Sequence, residues 1–419
     1  MSMIGVKIKK LRKEKKLTLA EVAKDQMSPA MLSLIENGKS KPSAENLQHI
    51  AQQLQVDVNE LMVGKTRSEL KRELSELRQI IKKSGAASFK KAIKHIQTLF
   101  PYLGNNVESA DIYDLYFTTL FGLYQHYKAD YDQLEDGDWN KYALLASEIY
   151  EDLQMENRVL DIHRMLANID YLHGNYSKTV EIVKNSLEKI DLIDSKSAQV
   201  AMKFKQLQFY SLFAIGEFEE SKQLLEENIQ LMNTYQLFNW AFELFRMGEG
   251  LYYQCGEFDK AREFTQKTTT LVELFDSDYL KNEKEFSIIH NMEFYEDQPE
   301  ESLRLIEIVE KNKAKSDDTL SELKARCYTK LKQPKKALPL FRQLLRDDQK
   351  HIEYHPIDVG IREISKSYQA LCYMQLNDLD KALELAEEVE RLLRKHPHTA
   401  YYQFARGVLR DIQVEKNRG

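Results

Sequence analysis

A short turn signal recurs along this chain between residues 137 and 382. Each copy has a two-residue turn, then an aromatic residue, leucine or proline, and then a small residue three positions later. The small residues are Thr179, Ser221, Ala261, Ser302, Ala337 and Ala382, with a weaker copy at 137–142. Because they recur every 35 to 45 residues, the pattern predicts a solenoid of stacked helical hairpins.

The residues of the signal explain the hairpin. Glycine, asparagine or aspartate at the turn tolerates the left-handed backbone that ends a helix, and the small residue lets two helices pack closely. The pattern resembles the tetratricopeptide repeat over roughly residues 105–415, which implies a right-handed tetratricopeptide-like solenoid. An irregular all-helical domain is the alternative. The predicted fold class is all-α, with a helix-turn-helix domain before the solenoid.

Composition and charge limit the kind of protein. With 42% hydrophobic and 30% charged residues and only 15 Gly, the chain is predicted to be soluble and rich in helix rather than disordered. No signal peptide or membrane-spanning run is apparent, so a cytoplasmic location is expected. Cys255, Cys327 and Cys372 are isolated and are expected to be reduced packing residues.

The positive charge is concentrated at the N-terminus. Residues 1–83 carry 17 Lys and Arg against 10 Asp and Glu, whereas residues 84–419 carry 43 against 56. A basic head on an acidic body indicates that only the head meets an anionic polymer such as DNA.

Helix start signals define this head. Thr18 and Glu21 form a capping box, and Ser28 with Pro29 begins a third helix that stops near Gly38. A fourth helix follows Ser43, and Val56, Val58 and Leu61 predict a short fifth. The segments Ile4-Gly5, Leu11-Arg12, Leu17-Thr18, 32–39, 41–43 and 47–51 resemble the five-helix helix-turn-helix domain of phage-repressor type.

This resemblance implies that the third helix enters the major groove while basic residues and helix N-termini hold phosphates. The candidate DNA-binding residues are Lys10, Arg12, Thr18, Ser28, Pro29, Ala30, Met31, Ser33 and Lys39. The reading helix has few bidentate hydrogen-bonding groups, so specificity is expected from paired heads and DNA shape. The alternative is a head that serves as a scaffold or binds protein.

A connecting helix is predicted after the head. Thr66 and Glu69 form a second capping box, and Leu70, Leu74 and Leu77 recur at helical spacing. This stripe is expected to pack on the first hairpin or on a partner chain. The predicted domains are therefore residues 1–64 for the head, 65–84 for the linker helix and 85–419 for the repeat domain.

Aligning the small residues places two adjacent rows of first-helix side chains on the concave wall. The first row is Arg164, Gln206, Arg246, Ser287, Glu322 and Ser367, and the second is Asn168, Tyr210, Gly250, Asn291, Arg326 and Leu371. Amide and guanidinium groups suit the backbone and carboxylates of a peptide. The candidate peptide-binding residues are Arg164, Asn168, Tyr171, Gln206, Tyr210, Arg246, Asn291, Phe294 and Arg326. A solvated groove or hydrogen bonds between hairpins is the alternative for each.

A repressor-type head before such repeats resembles the peptide-pheromone receptors of Gram-positive bacteria, the Rap, NprR and PlcR group, with the size and domain order of NprR. The resemblance implies a homodimeric or larger quorum-sensing transcription regulator controlled by a short peptide. The alternative is a Rap-like adaptor that binds and inhibits a response regulator and is released by peptide.

Catalytic motifs are not apparent, so no enzymatic activity and no cofactor are expected. The sequence has no G-x-S-x-G elbow. His351 and His355 are one helical turn apart, but a zinc site needs three or four ligands and no third is evident.

Overall fold

The computed structural model describes residues 3–58, 61, 65–135, 137–275, 278–312, 318–341 and 355–418. These residues form α-helices and short 3₁₀ turns without any β-strand, which confirms the all-α prediction. None of the described helices is long and apolar enough to span a membrane. The chain divides into two compact units, Met1–Leu166 and Ala167–Gly419. The predicted domain boundaries at residues 64 and 84 stay predictions.

The first unit contains the head, the connecting helix and the aromatic-rich helices after it. Its helices are α1 Met3–Glu14, α2 Leu19–Ala23, α3 Pro29–Glu36, α4 Ala44–Gln53, α5 Arg67–Lys82, α6 Ala86–Leu99, α7 Val107–His126, α8 Lys128–Tyr131 and α9 Trp139–Asp152. The following helix, α10 Glu156–Leu172, spans the division between the units.

The head folds around one apolar cluster. Ile8 of α1, Val22 of α2, Leu32 of α3 and Ile50 of α4 are all fully buried in it. Side-chain caps begin the helices as predicted, since the hydroxyls of Thr18, Ser28 and Ser43 accept backbone N–H groups. The predicted fifth helix falls partly outside the described residues, but Leu61 is buried in the same cluster.

The connecting helix α5 begins at the predicted capping box of Thr66 and Glu69. Its stripe of leucines is buried, and the helix packs against α6 and α7. Arg67 at its first turn pairs with the buried Glu108 of α7, with Nε and Oε2 2.7 Å apart. The structure therefore shows the first of the two predicted arrangements, packing on the helices that follow.

The second unit is a series of helical hairpins. Its helices after α10 are α11 Tyr176–Leu187, α12 Ser195–Ile215, α13 Phe218–Thr234, α14 Ala241–Gln254, α15 Phe258–Phe275, α16 Asp278–Phe294, α17 Pro299–Asn312, α18 Asp318–Lys330, α19 Pro334–Ala337, α20 Pro356–Gln375, α21 Leu379–Leu393 and α22 Ala400–Lys416. Each predicted turn lies between two of these helices.

The six turns share one backbone geometry. The residue at each has a left-handed φ between 53 and 85 degrees: Gly174, Gly216, Gly256, Asp297, Lys332 and Asn377. In five of the six turns, the next amide donates to the carbonyl five residues earlier at 2.9 to 3.0 Å. This is the Schellman arrangement that satisfies the last carbonyls of a helix. At the sixth turn, before Pro299, the donor is Gln298 and the acceptor is Met292, six residues earlier.

The small residue after each turn is completely buried. Thr179, Ser221, Ala261, Ser302, Ala337 and Ala382 all have no exposed surface. A larger side chain at these positions would separate the two helices of the hairpin, because packed interiors do not accept added volume cheaply. The periodic feature of the sequence is thus the contact point of each hairpin.

Gly216 and Gly256 occupy equivalent turns with different surroundings. Both are left-handed, with φ of +85 and +74 degrees, but a Cβ at Gly216 would lie 2.7 Å from Cγ of His398, whereas no described atom lies within 4 Å at Gly256. Both alanine variants carry a left-handed cost of about 1–2 kcal/mol, and only Gly216→Ala adds a clash. We expect Gly216→Ala to lower the free energy of unfolding by about 1 kcal/mol more in urea titrations. Equal losses would contradict this packing.

Candidate functional site

The head orients its third helix through a partly buried ion pair. Arg12 of α1 donates from Nε and Nη2 to the two carboxylate oxygens of Glu36, at 2.6 and 2.9 Å, and from Nη1 to the carbonyl of Leu17 at 2.9 Å. Glu36 at the end of α3 is buried. The guanidinium is committed to these contacts, so a phosphate contact by Arg12 would require giving them up.

The other predicted DNA-binding residues lie at the surface of the head. Thr18 and Ser28 are exposed N-caps of α2 and α3, and helix N-termini attract anions such as phosphate. Lys39 is exposed in the loop after α3. Lys10 is exposed on α1 and forms an ion pair with Glu69 of the connecting helix.

The outward face of α3 is mostly apolar. Pro29 and Ala30 are exposed, Met31 and Ser33 are half-buried, and Leu34 is 43% exposed. Leu34 belongs to the segment 28–34 that the resemblance assigns to DNA readout, although it is not among the named DNA-binding candidates. Its signal is the spacing from Ala30, because residues four apart share one face of a helix.

Lys10 is expected to control the ionisation of Glu69. Burial raises the pKa of Glu69, but hydrogen bonds from Lys10 and Thr66 outweigh it and lower the pKa to about 2. This stabilisation is present above the ordinary glutamate pKa and is lost as the pH falls toward about 2. We expect Lys10→Met to raise the pKa of Glu69 in an NMR titration, so that the loss begins at higher pH. Lys9→Met is the control, because Lys9 contacts Asn37 instead, and an unchanged pKa in Lys10→Met would refute the link.

A cavity of about 680 Å³ lies within the second unit. Much of its wall is aromatic: Tyr171, Phe209, Tyr210, Phe213, Phe242, Tyr253, Phe286, Tyr295 and Tyr401. The two predicted rows contribute seven lining residues: Arg246, Ser287, Glu322, Tyr210, Gly250, Asn291 and Arg326. An apolar cavity of this size with a few convergent polar groups is typical of a small-ligand site.

Arg246 is the predicted arginine that faces the cavity with accessible surface. It donates to both oxygens of Glu243 and to the hydroxyl of Tyr210, each at 3.3 Å, and its side chain is 50% exposed. Burial opposes ionisation of Glu243, but Arg246 and the hydroxyl of Tyr210 hold the pKa of Glu243 below its ordinary value. These contacts fix the guanidinium at the cavity wall, where a ligand carboxylate can approach its exposed surface.

Asn291 participates in a buried polar cluster. Its amide donates to Oε1 of Glu249 at 2.9 Å, where the hydroxyl of Ser287 also donates at 2.9 Å, and Lys284 pairs with the other oxygen at 2.7 Å. Burial lowers the pKa of Lys284 and Glu249 opposes that shift. The cluster joins α14 to α16, which is the hydrogen bonding between hairpins that the sequence left open as an alternative.

Arg326 also lies in a buried cluster. It is 3% exposed and pairs with the fully buried Glu293, which accepts from the hydroxyl of Tyr368 at 2.6 Å and lies 3.3 Å from Nζ of Lys330. Nη1 of Arg326 lies 3.3 Å from Nδ1 of His290. Burial and this guanidinium hold the pKa of His290 well below its ordinary value, so the ring is neutral.

The remaining predicted peptide residues are not part of the cavity wall. Gln206 does not line the cavity, but its side-chain amide donates to the lining residue Glu243 at 3.2 Å. Phe294 stacks on Tyr401, with ring centroids 4.8 Å apart. Asn168 is half-buried at the start of the second unit, and Arg164 falls in the first unit. Their roles on a peptide stay predictions.

The C-terminal helices complete the cavity with residues that the repeat alignment did not reach. Asp358 and Arg362 of α20 line it together with Tyr401 of α22. Desolvation raises the pKa of Asp358, whereas Arg246 and Arg362 act to lower it. The hydroxyl of Tyr401 lies 2.9 Å from both Nε2 of His290 and the hydroxyl of Tyr295. These hydrogen bonds join α22 to the C-terminal end of α16.

The described residues do not form a candidate metal site. They contain no group of three or more His, Cys, Asp or Glu side chains suited to a metal ion. In the predicted imidazole pair, His351 lies outside the described residues. His355 is buried, and its Nε2 lies 3.1 Å from the carbonyl of Tyr210. The three cysteines are free thiols, with Cys327 and Cys372 buried.

Comparison with known proteins supports the head directly. Residues 8–61 match the protein-family model described as helix-turn-helix, so the N-terminal domain is a helix-turn-helix domain. This match covers the head alone. A search of curated proteins gives no match.

Several solved structures are similar to longer parts of the chain. PlcR from Bacillus thuringiensis, in complex with the peptide PapR7 and DNA, is 17% identical over 68% of this chain and 99% of that chain, with a TM-score of 0.31. ComR from Streptococcus vestibularis is 16% identical over 67% and 95%, with a TM-score of 0.32. Aspartyl phosphate phosphatase F from Bacillus subtilis is 18% identical over 82% and 95%, with a TM-score of 0.45. At these values, none of the likenesses carries an argument about what this chain binds.

Proposed function

We propose that this protein is a cytoplasmic transcription regulator that binds DNA through its helix-turn-helix head and is controlled by a short linear peptide in the cavity of its second unit. The observation that carries the proposal is the presence, in one chain, of this head and of an aromatic-walled cavity with an exposed arginine. The proposal agrees with the resemblance to the peptide-pheromone receptors. The closer resemblance to NprR stays a prediction.

The DNA half of the proposal is supported by charge and geometry. The head is basic, and the N-termini of α2 and α3 are exposed with their caps in place. Phosphate contacts by lysines and helix N-termini supply most of the affinity in such domains, which makes binding depend steeply on salt. Lys39 and Lys10 are the proposed phosphate contacts, with Lys10 exchanging its partner Glu69 for DNA.

The peptide half is supported by the mixture of groups around the cavity. Aromatic walls suit apolar side chains, and Arg246 and Arg362 suit the carboxylate of a peptide terminus or an acidic side chain. Asp358 and Glu243 suit backbone N–H groups or a terminal ammonium. A short peptide carries all of these groups, whereas a purely apolar ligand would cover the exposed surface of Arg246 without offering it a hydrogen-bond acceptor.

The regulator is proposed to act as a homodimer or a larger homo-oligomer. The reading helix has few hydrogen-bonding groups, so a single head discriminates weakly and two half-sites add their discrimination. Light scattering of the full chain at the concentration where DNA binding saturates is expected to give at least a dimer. A monomer bound tightly to one half-site would contradict this.

The direct test is a gel shift with promoter duplexes that flank the gene, with and without short peptides encoded beside it. The proposal expects a salt-sensitive complex that the cognate peptide strengthens or releases. Absence of any duplex binding across the tested promoters, together with peptide binding in calorimetry, would leave only the peptide half standing.

An adaptor that binds a response regulator is the second candidate. It is favoured by the apolar outward face of α3, where Ala30 and Leu34 are exposed and could contact protein instead of DNA. Co-purification of the full chain with response regulators from the same cell, abolished by peptide, would support this candidate. Enrichment of a specific duplex by the same chain would oppose it.

A further inference from the structure

The side chains on the outward face of α3 and its cap fall on one helical stripe. Ala30, Ser33, Leu34 and Asn37 follow the spacing of three, four and seven residues that places side chains on one face of a helix. Their opposite neighbours, Leu32 and Ile35, are buried in the head core. The stripe therefore faces away from the head and is the surface that a major groove would receive from this helix.

Three polar side chains on or near this stripe already have hydrogen-bond partners within the head: Ser28, Asn37 and Ser33, whose hydroxyl lies 3.4 Å from the amide nitrogen of Asn37. The amide nitrogen of Asn37 donates to the carbonyl of Ser33 at 2.8 Å, and its oxygen accepts from Nζ of Lys9 at 3.1 Å. The hydroxyl of Ser28 accepts the backbone N–H of Met31 at 3.1 Å. These bonds set the helix ends and reduce what the polar groups can offer to a base edge.

The apolar members of the stripe are exposed to solvent. Leu34 is 43% exposed, and Ala30 is exposed as well. In the major groove, the thymine methyl is the apolar feature of the unmodified base pairs, while the other groups that distinguish the pairs are hydrogen-bond donors and acceptors.

We propose that the head recognises thymine-rich half-sites by packing Ala30 and Leu34 against thymine 5-methyl groups in the major groove. Ser33 adds one hydroxyl on the same face, which can bond to either a donor or an acceptor and therefore discriminates little. This inference rests on the proposed DNA binding and adds the chemical feature that the head reads.

The expected effect of one methyl contact is modest and measurable. Burying an apolar group the size of one CH₂ stabilises by about 0.8 kcal/mol, which corresponds to about a fourfold change in affinity. Removing one contacted methyl from each half-site of a dimer should therefore weaken binding by roughly sixteenfold, because separated positions act additively.

The experiment begins with selection of duplexes from a random library on the full-length chain. Each thymine of the enriched site is then replaced by deoxyuridine, which removes the 5-methyl group and keeps the hydrogen-bonding edge. The same duplexes are measured with Leu34→Ala, and with Leu192→Ala as the control. Leu192 has the same 43% exposure and lies outside the head.

We expect deoxyuridine to weaken binding of the wild-type chain about fourfold at particular positions. Leu34→Ala should bind the thymine site more weakly and lose its sensitivity at one of those positions, while Leu192→Ala behaves as wild type. An enriched site that is insensitive to deoxyuridine at every position would overturn the inference while leaving DNA binding intact. Failure to enrich any duplex would instead refute the proposed DNA binding.

Discussion

Replacement of Arg326 by methionine is expected to lower the free energy of unfolding of the second unit by about 3 to 5 kcal/mol. Arg326 is almost completely buried and pairs with Glu293, which has no exposed surface. Methionine fills similar space but, among the described residues, leaves the carboxylate with Lys330 and the hydroxyl of Tyr368 as its partners. A buried charge that loses one of its partners keeps its full desolvation cost with less compensating attraction.

The matched control is Arg246→Met at the cavity wall. Arg246 is half exposed and pairs with Glu243, so its removal is expected to change stability by less than about 1 kcal/mol. Its effect should appear in ligand binding instead, as a loss of roughly tenfold or more for the carboxylate contact. Urea unfolding followed by circular dichroism compares the two variants, and an Arg326→Met protein as stable as wild type would contradict the buried cluster.

Replacement of Gly250 by phenylalanine is expected to abolish peptide binding, with a loss of about 100-fold or more. Gly250 lines the cavity within α14, and a Cβ built there has no described atom within 4 Å. The position is an ordinary helical one, so a side chain is accepted without backbone strain and removes the conformational cost of a mid-helix glycine. A phenyl ring at this point occupies the space that a ligand needs.

Gly407→Phe provides the control for this cavity block. Gly407 also lies within a helix, α22, with open space around a Cβ, and it does not line the cavity. Both variants are expected to be at least as stable to urea as wild type, because each replacement removes the conformational cost of a mid-helix glycine. Calorimetry with a bound peptide separates them, and undiminished affinity in Gly250→Phe would show that the ligand lies elsewhere.

The repeat architecture was predictable because its signals are local. A left-handed turn and a small residue each act within one hairpin, so Gly216 and Ser221 show the turn and the contact point without knowledge of the rest of the chain. Capping boxes are equally local, and those at Thr18 and Thr66 begin the predicted helices. The early end of α19 was not foreseen, since Pro334 and Ala337 carry the same signal as the longer hairpins.

The candidate site was predictable only in part. The repeat alignment placed Tyr210, Arg246 and Asn291 on one wall, because equivalent helices present equivalent faces. In the structure, all three line the same cavity. It could not separate exposed from buried arginines, since the partner of Arg326 is Glu293, which belongs to the preceding hairpin. Which carboxylate meets which guanidinium is decided by packing between hairpins.

The C-terminal contribution to the cavity had no sequence signal. Asp358 and Arg362 lie near the start of α20, before its aligned residues Ser367 and Leu371, and Tyr401 of α22 meets His290 across 111 positions. Contacts of that kind depend on how the whole unit closes on itself. A repeat alignment, which relates neighbours, does not contain them.

The central claim is that a peptide in the cavity controls DNA binding by the head. The most direct measurement is the affinity of the full-length chain for its selected duplex, at fixed salt, with and without the cognate peptide, for the wild type, Gly250→Phe and Gly407→Phe. We predict that the peptide changes the affinity of the wild type and of Gly407→Phe and leaves that of Gly250→Phe unchanged. An equal peptide effect on all three proteins, or none on the wild type, would contradict the claim.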